Sequence, residues 1–137
     1  MKFKYRPYKD LANPDIEYGK MPLLQVTLKN GRNQIDLDCL VDSGAGGSLF
    51  GSQAAELLGI DLSRAESQVY EGIGNSAVKG YISTIMLRVK GFAEWIPIEA
   101  GFLKGEEMPI LGQSGFFENY EVIFRGYQSR FEIKKRG

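Results

Sequence analysis

The chain has 137 residues, enough for one domain with a real core and hardly enough for two. Seventeen basic and 17 acidic side chains cancel, so bulk charge argues neither for nucleic acid nor for an anionic membrane surface as partner. There is no histidine and only one cysteine, Cys39. These absences exclude a Ser-His-Asp triad, a Cys-His pair, His-ligated zinc, a thiolate zinc cluster and any intramolecular disulfide. Acid–base chemistry without a cofactor would then fall to carboxylates, Lys or Tyr.

In chain order, residues 1–20 are mixed, with Tyr5, Pro7, Tyr8, Pro14 and Tyr18, and read as an extended N-terminal arm ahead of a domain over 21–137. The start is basic, but no apolar run of signal-peptide length follows, and nothing later is long enough to span a bilayer. A soluble, cytoplasmic protein is expected, in keeping with the lone cysteine. Leu23 to Leu28 reads as a strand, and Lys29-Asn30-Gly31-Arg32 as a hairpin turn, because Asn-Gly tolerates positive φ. From Gln34 to Val41 the pattern alternates. Ile35, Leu37, Cys39 and Val41 take one face, Gln34, Asp36 and Asp38 the other. Cys39 is thereby a core position, and Asp36 and Asp38 a solvated face lacking the convergent oxygens of a hard-metal site.

Asp42-Ser43-Gly44-Ala45-Gly46-Gly47 breaks the strand, and Ser48-Leu49-Phe50 is a short apolar segment. Ser52 is placed to cap a helix over Gln53 to Leu58, closed by Gly59. Val69-Tyr70-Glu71 and Val78 to Val89 read as strands around a glycine-bearing tip, Gly72-Ile73-Gly74-Asn75. That tip has neither the third glycine nor the helix of a phosphate-binding loop. A further strand is predicted over Ala93 to Ala100, with Trp95 as a core or pocket residue. Lys104-Gly105-Glu106-Glu107 reads as a solvated turn, Pro109-Ile110-Leu111 as a short strand ending at Gly112, and Gln113 to Asn119 as a short helix or turn. Tyr120 to Phe124 and Arg130 to Ile133 form a closing hairpin across Gly126, ahead of the basic tail Lys134-Lys135-Arg136. Many short strands, 17 glycines and one or two short helices imply a mainly β sandwich or barrel.

The segment that carries chemistry is Leu40-Val41-Asp42-Ser43-Gly44-Ala45. An apolar strand delivers a carboxylate into a tight turn, a hydroxyl stands beside it, and small residues leave room for a substrate backbone. Asp-Ser-Gly alone is equally an ordinary turn signal. Together with Ser48-Leu49-Phe50, and with Ile110-Leu111-Gly112 running into Gln113 to Asn119, the segment resembles the paired signatures of the retropepsin-like aspartic peptidases. Asp42 and Gly112 are 70 residues apart, and Glu71-Gly72-Ile73-Gly74-Asn75 falls where that family carries its flap. The tail over Phe116 to Phe124 is similar to stand-alone cellular members.

This resemblance implies a single-domain retropepsin-like closed β-barrel or sandwich with one or two short helices that works as a homodimer, because one Asp-Ser-Gly per chain needs a second chain to supply the second carboxylate. It implies an aspartic endopeptidase with Asp42 catalytic, Ser43, Gly44 and Ala45 supporting the active-site loop, and Ile110, Leu111 and Gly112 as the second supporting element. Gly72, Ile73 and Gly74 would close over an extended peptide substrate. No metal or cofactor is implied. Ser43 stands where Thr is commoner, and Gly46-Gly47 loosens the loop. A rival reading keeps the fold as a catalytically silent peptide-binding or dimerisation module. Whether Tyr120 to Ile133 knits a dimer or packs in the protomer's own core stays open.

Overall fold

The computed structural model describes residues 1–9, 13, 15, 17–71, 76–105 and 108–136. Among the described residues twelve strands, β1 (Lys2–Lys4), β2 (Arg6–Lys9), β3 (Glu17–Met21), β4 (Leu23–Asn30), β5 (Asn33–Val41), β6 (Ser48–Gly51), β7 (Glu66–Glu71), β8 (Ala77–Val89), β9 (Ile96–Leu103), β10 (Ile110–Leu111), β11 (Tyr120–Arg125) and β12 (Arg130–Lys135), carry the architecture. One six-residue helix, α1 (Ser52–Leu57), follows β6. The largest sheet runs β4-β5-β10-β6-β9-β8-β7, and an additional β4–β8 pairing closes it into a ring with β7 outside.

Alternation builds the ring's interior. Leu24, Val26 and Leu28 of β4 are fully buried, and Cys39 and Val41 of β5 join them. Ile35 and Leu37 share that face but lie nearer the hairpin end and are only partly buried against the core. Opposite them, Ile85, Leu87 and Val89 of β8 and Ile98, Ala100 and Phe102 of β9 fill the same space. Phe50 of β6 packs on Phe102 with ring centroids 5.9 Å apart. At roughly 25 cal/mol per Å2 of apolar surface, this shared interior is the main driving force for the fold.

Residues 1–20 contain strands where an arm was expected. β1 pairs antiparallel with β12, and β12 with β11, making a second sheet. Phe3 stacks on the buried Phe131 there. β2 and β3 form a separate two-stranded pair.

Several local expectations need correction. Helix α1 begins at Ser52 itself; its N-cap is Gly51 and no side chain caps it. Gly59 does follow its end with φ +69°. β9 starts at Ile96 and continues through Gly101 to Leu103, because β8 pairs with it from Ile96 to Leu103 and β6 from Ala100 to Leu103. Trp95 is not part of the buried core: it is half-buried and carries Arg88 and Lys29 over its ring at 4.6 and 5.3 Å. The final hairpin turns through Gly126–Gln128, and the left-handed position is Ser129, at φ 53°.

Candidate active site

β5 and β6 are consecutive in sequence but do not pair with each other at the point where Asp42 leaves β5. β10 lies between them, parallel to β5 (Ile110 beside Leu40, Leu111 beside Val41) and antiparallel to β6 (Ile110 beside Leu49). The insertion splays the two strands and leaves the 42–47 loop bridging over the end of β10. Two residues suffice for β10 because both its neighbours satisfy its backbone groups. The Leu40 N–H donates to Pro109 O at 2.8 Å and the Asp42 N–H to Leu111 O at 3.0 Å.

The loop is then fixed from within and from below. Asp42 Oδ1 accepts a hydrogen bond from the Gly44 N–H at 2.9 Å, and the Asp42 carbonyl accepts from the Ala45 N–H at 3.2 Å. The half-buried carboxylate is thus held on one oxygen by a backbone donor, and its second oxygen has no hydrogen bond among the described residues. The carbonyls of Ala45 and Gly46 accept from the N–H groups of Gln113 and Ser114 at 2.9 and 3.0 Å. Gln113 Nε2 donates to the Ser43 carbonyl at 2.7 Å.

Gly112 is glycine for a steric reason. A Cβ there would fall onto the Gly47 carbonyl and 2.7 Å from the Ala45 carbonyl. The residues after it form a short irregular turn, Gln113–Phe117, with Gly115 at φ 96°. Ser48, with 1% of its surface exposed, ties the two elements together. Its Oγ donates to Ser114 O at 2.9 Å and accepts from the Gly112 N–H at 3.1 Å. Buried hydroxyls with both capacities used are structural pins.

Asp42, Ser43, Gly44, Ala45, Ile110, Leu111 and Gly112 therefore converge on one end of the ring. Gly72, Ile73 and Gly74 lie outside the described residues, although β7 and β8, which lead into and out of that segment, pair from Glu66–Ile82 to Glu71–Ala77. Ser48 and Gln113 were not singled out from sequence. A lone serine at the start of the apolar run Leu49-Phe50 was the available signal for Ser48; nothing local marks Gln113.

A cavity of about 500 Å3 opens beside the loop, lined by residues 44–49, 68–71, 82, 99–101 and 114. Tyr70 crosses it. A Cβ at Gly80 would lie 2.7 Å from the Tyr70 ring, and one at Gly101 2.5 Å from its hydroxyl. These glycines make the slot in which the ring sits. Burial, and secondarily Glu99, push the Tyr70 hydroxyl above its usual range, so it stays protonated at neutral pH and can donate or accept. Among the described residues, no three His, Cys, Asp or Glu side chains gather as a metal site. No helix among them is long and apolar enough to cross a membrane.

No family model and no curated protein matches the chain. Solved structures do. A retropepsin-like aspartic protease from Rickettsia conorii superposes with a TM-score of 0.61 at 12% identity, covering 98% of each chain. The EIAV protease, in complex with the inhibitor HBY-793, superposes with a TM-score of 0.53 at 21% identity, covering 70% of this chain and 85% of that one. At such low identity what is shared is architecture, and the chain has the retropepsin-like fold.

Proposed function

We propose that the protein is an aspartic endopeptidase whose active centre forms between two copies of the chain, one Asp42 from each. The observation that carries this reading is the Asp42 carboxylate itself: half-buried, held on one oxygen by the Gly44 N–H, and mounted on a loop clamped by residues 111–114 beside an open cavity. A two-fold axis brings the same residue of both protomers to one place. The pair shares one proton, and aspartic-protease dyads are the standard instance of such coupling.

The charged carboxylate takes a proton from a water molecule held between the two, and the water attacks the scissile carbonyl. The protonated carboxyl donates to that carbonyl oxygen as charge develops on it. Proton return to the amine nitrogen from the dyad then breaks the C–N bond of the tetrahedral diol. No acyl-enzyme forms, which suits a sequence without histidine. Ser43, exposed on the protomer, braces the partner loop across the axis. Gly44 and Ala45 admit the substrate backbone, and Gly72, Ile73 and Gly74 close over it. The peptide binds as an added strand with side chains in alternate pockets. The single buried thiol, Cys39, suits the reducing cytoplasm, where we place the enzyme.

The test is cleavage of a diverse peptide library, read by mass spectrometry, with wild type and Asp42→Asn at a concentration that favours dimers. Cuts made by wild type alone are expected. Equal cutting by both proteins would refute the role of Asp42. Silence from both, with dimers confirmed, would favour the non-catalytic module.

A further inference from the structure

The cavity beside the Asp42 loop has a floor, a wall and a charge. The strand register puts Leu49, Gly101 and Ile82 side by side on the ring's outer face. Glu99 lies two residues along β9 from Gly101 on that same face, opposite Thr84. Gln68 and Tyr70 of β7 reach the face through their partners Gly80 and Val78. Leu49 and Gly101 are therefore a shallow apolar floor, the Tyr70 ring is a wall, and the exposed Glu99 carboxylate stands at the rim.

The charges facing this cavity have one sign. Its lining includes Glu99 on this face and Glu71, which the register puts on the opposite face of β7 with Val69 and Lys79, and no Lys or Arg. Glu66 stands opposite Ile82 on the same face, adding a second exposed carboxylate at the outer edge. Further along the face Arg88 and Lys29 are engaged over the Trp95 ring. Lys79, paired with Val69, belongs to the opposite face and lies over Tyr81. Gly72-Ile73-Gly74-Asn75, between β7 and β8, brings no charge by sequence. Glu99 appears in none of the ion pairs among the described residues.

An apolar floor, an aromatic face and an unneutralised carboxylate at the rim suit a side chain with an aliphatic stem and a cationic head. We propose that this cavity is a side-chain subsite selective for Lys or Arg in the peptide substrate, with Glu99 as the specificity-determining residue and Tyr70 as the aromatic wall. The proposal rests on the peptidase reading for its context but concerns binding, so the two can fail separately. In a two-fold dimer the cavity occurs twice, so the preference falls at two positions placed symmetrically about the cut bond.

Glu99 is exposed, so its contribution is that of a screened pair: about two- to fivefold in kcat/KM for Lys or Arg over norleucine, shrinking as salt rises. The experiment profiles a positional-scanning peptide library with wild type, Glu99→Gln and Glu99→Arg, all on the full chain. In the Gln variant the Lys/Arg preference should vanish while cleavage of neutral peptides continues. With Arg at the position the preference should swing to Asp or Glu. Identical profiles from all three proteins would overturn the subsite. The same labelled peptides are also titrated by fluorescence anisotropy into Asp42→Asn and Asp42→Asn/Glu99→Gln. If wild type cuts nothing, tighter binding of Lys peptides that is lost with Glu99 keeps the subsite and rejects the peptidase. Equal binding of Lys and norleucine peptides, or none, rejects the subsite.

Discussion

A methyl group at Gly112 has nowhere to go. The atoms it would meet are carbonyls of the loop that carries Asp42, and Ala45's carbonyl is already bonded to the Gln113 N–H. Gly112→Ala should therefore cost about 1–3 kcal/mol, the usual range for overpacking. It should also lower turnover more than stability alone explains, because relief requires moving the loop; urea melts and steady-state kinetics on the same preparation check both. Cys39 gives a second residue-scale prediction. Burial, then the nearby Asp38, push its thiol far above the ordinary range. The native thiol should resist iodoacetamide at mildly alkaline pH and react at once in denaturant. The linkage sign follows: a folded-state pKa above the unfolded one means stability intact below about pH 8.5 and lost progressively as pH rises beyond it. Cys39→Ala should flatten that alkaline slope in pH-dependent denaturation. At this scale the sequence showed which residues form the Asp42 loop and the Gly112 turn, since Asp42-Ser43-Gly44 and Ile110-Leu111-Gly112 are local patterns. It could not show Ser48 or Gln113 as pins, because their acceptors, Ser114 O and Ser43 O, lie 66 and 70 residues away.

Among the elements, the small sheet β1-β12-β11 ties the chain's first residues to its last strand. The Met1 amine donates to Ile133 O at 2.7 Å, and the rings of Phe3 and Phe131 stack at 5.3 Å. Phe3 is only half-buried, so Phe3→Ala should cost less than a full core deletion, about 2 kcal/mol. Its amide-exchange signature should be faster exchange along β12 with β4 and β5 unchanged, since that sheet is separate from the ring. β4 and β5 were legible because eight or nine residues show their period. β1 was not: Lys2-Phe3-Lys4 is too short to alternate, and its strand character comes from β12. β10 is shorter still, and only the neighbouring glycine betrayed it. Fully buried Phe131 and Ile133 also give the closing hairpin a place in the protomer's own core, one of the two readings left open for it.

For the whole molecule, the proposed dimer makes activity a function of concentration. Each protomer brings one Asp42, so the active species is formed by association. Specific activity should be constant at high protein concentration and fall in proportion to concentration once dilution passes the dimer dissociation constant. A specific activity unchanged down to concentrations where sedimentation shows only monomer would contradict an active centre shared between copies. The ring architecture itself was foreseeable from many short strands with glycine-rich turns. Its closure through β4 and β8 was not, because that pairing joins Val26 to Val89 and Lys29 to Met86 across nearly half the chain, where local pattern says nothing about partners.

The threading of β10 between β5 and β6 also sets an order of events at the ribosome. Asp42 leaves the exit tunnel long before Leu111, whose carbonyl holds its backbone, and before Gln113 and Ser114, whose amides hold its loop. Until those residues emerge, the carboxylate sits on an unfastened segment, and contacts of such separation form late and slowly. A nascent chain of this protein thus holds Asp42 on an unfastened loop until residues 111–114 have emerged, and the loop is set only once β10 has threaded into place.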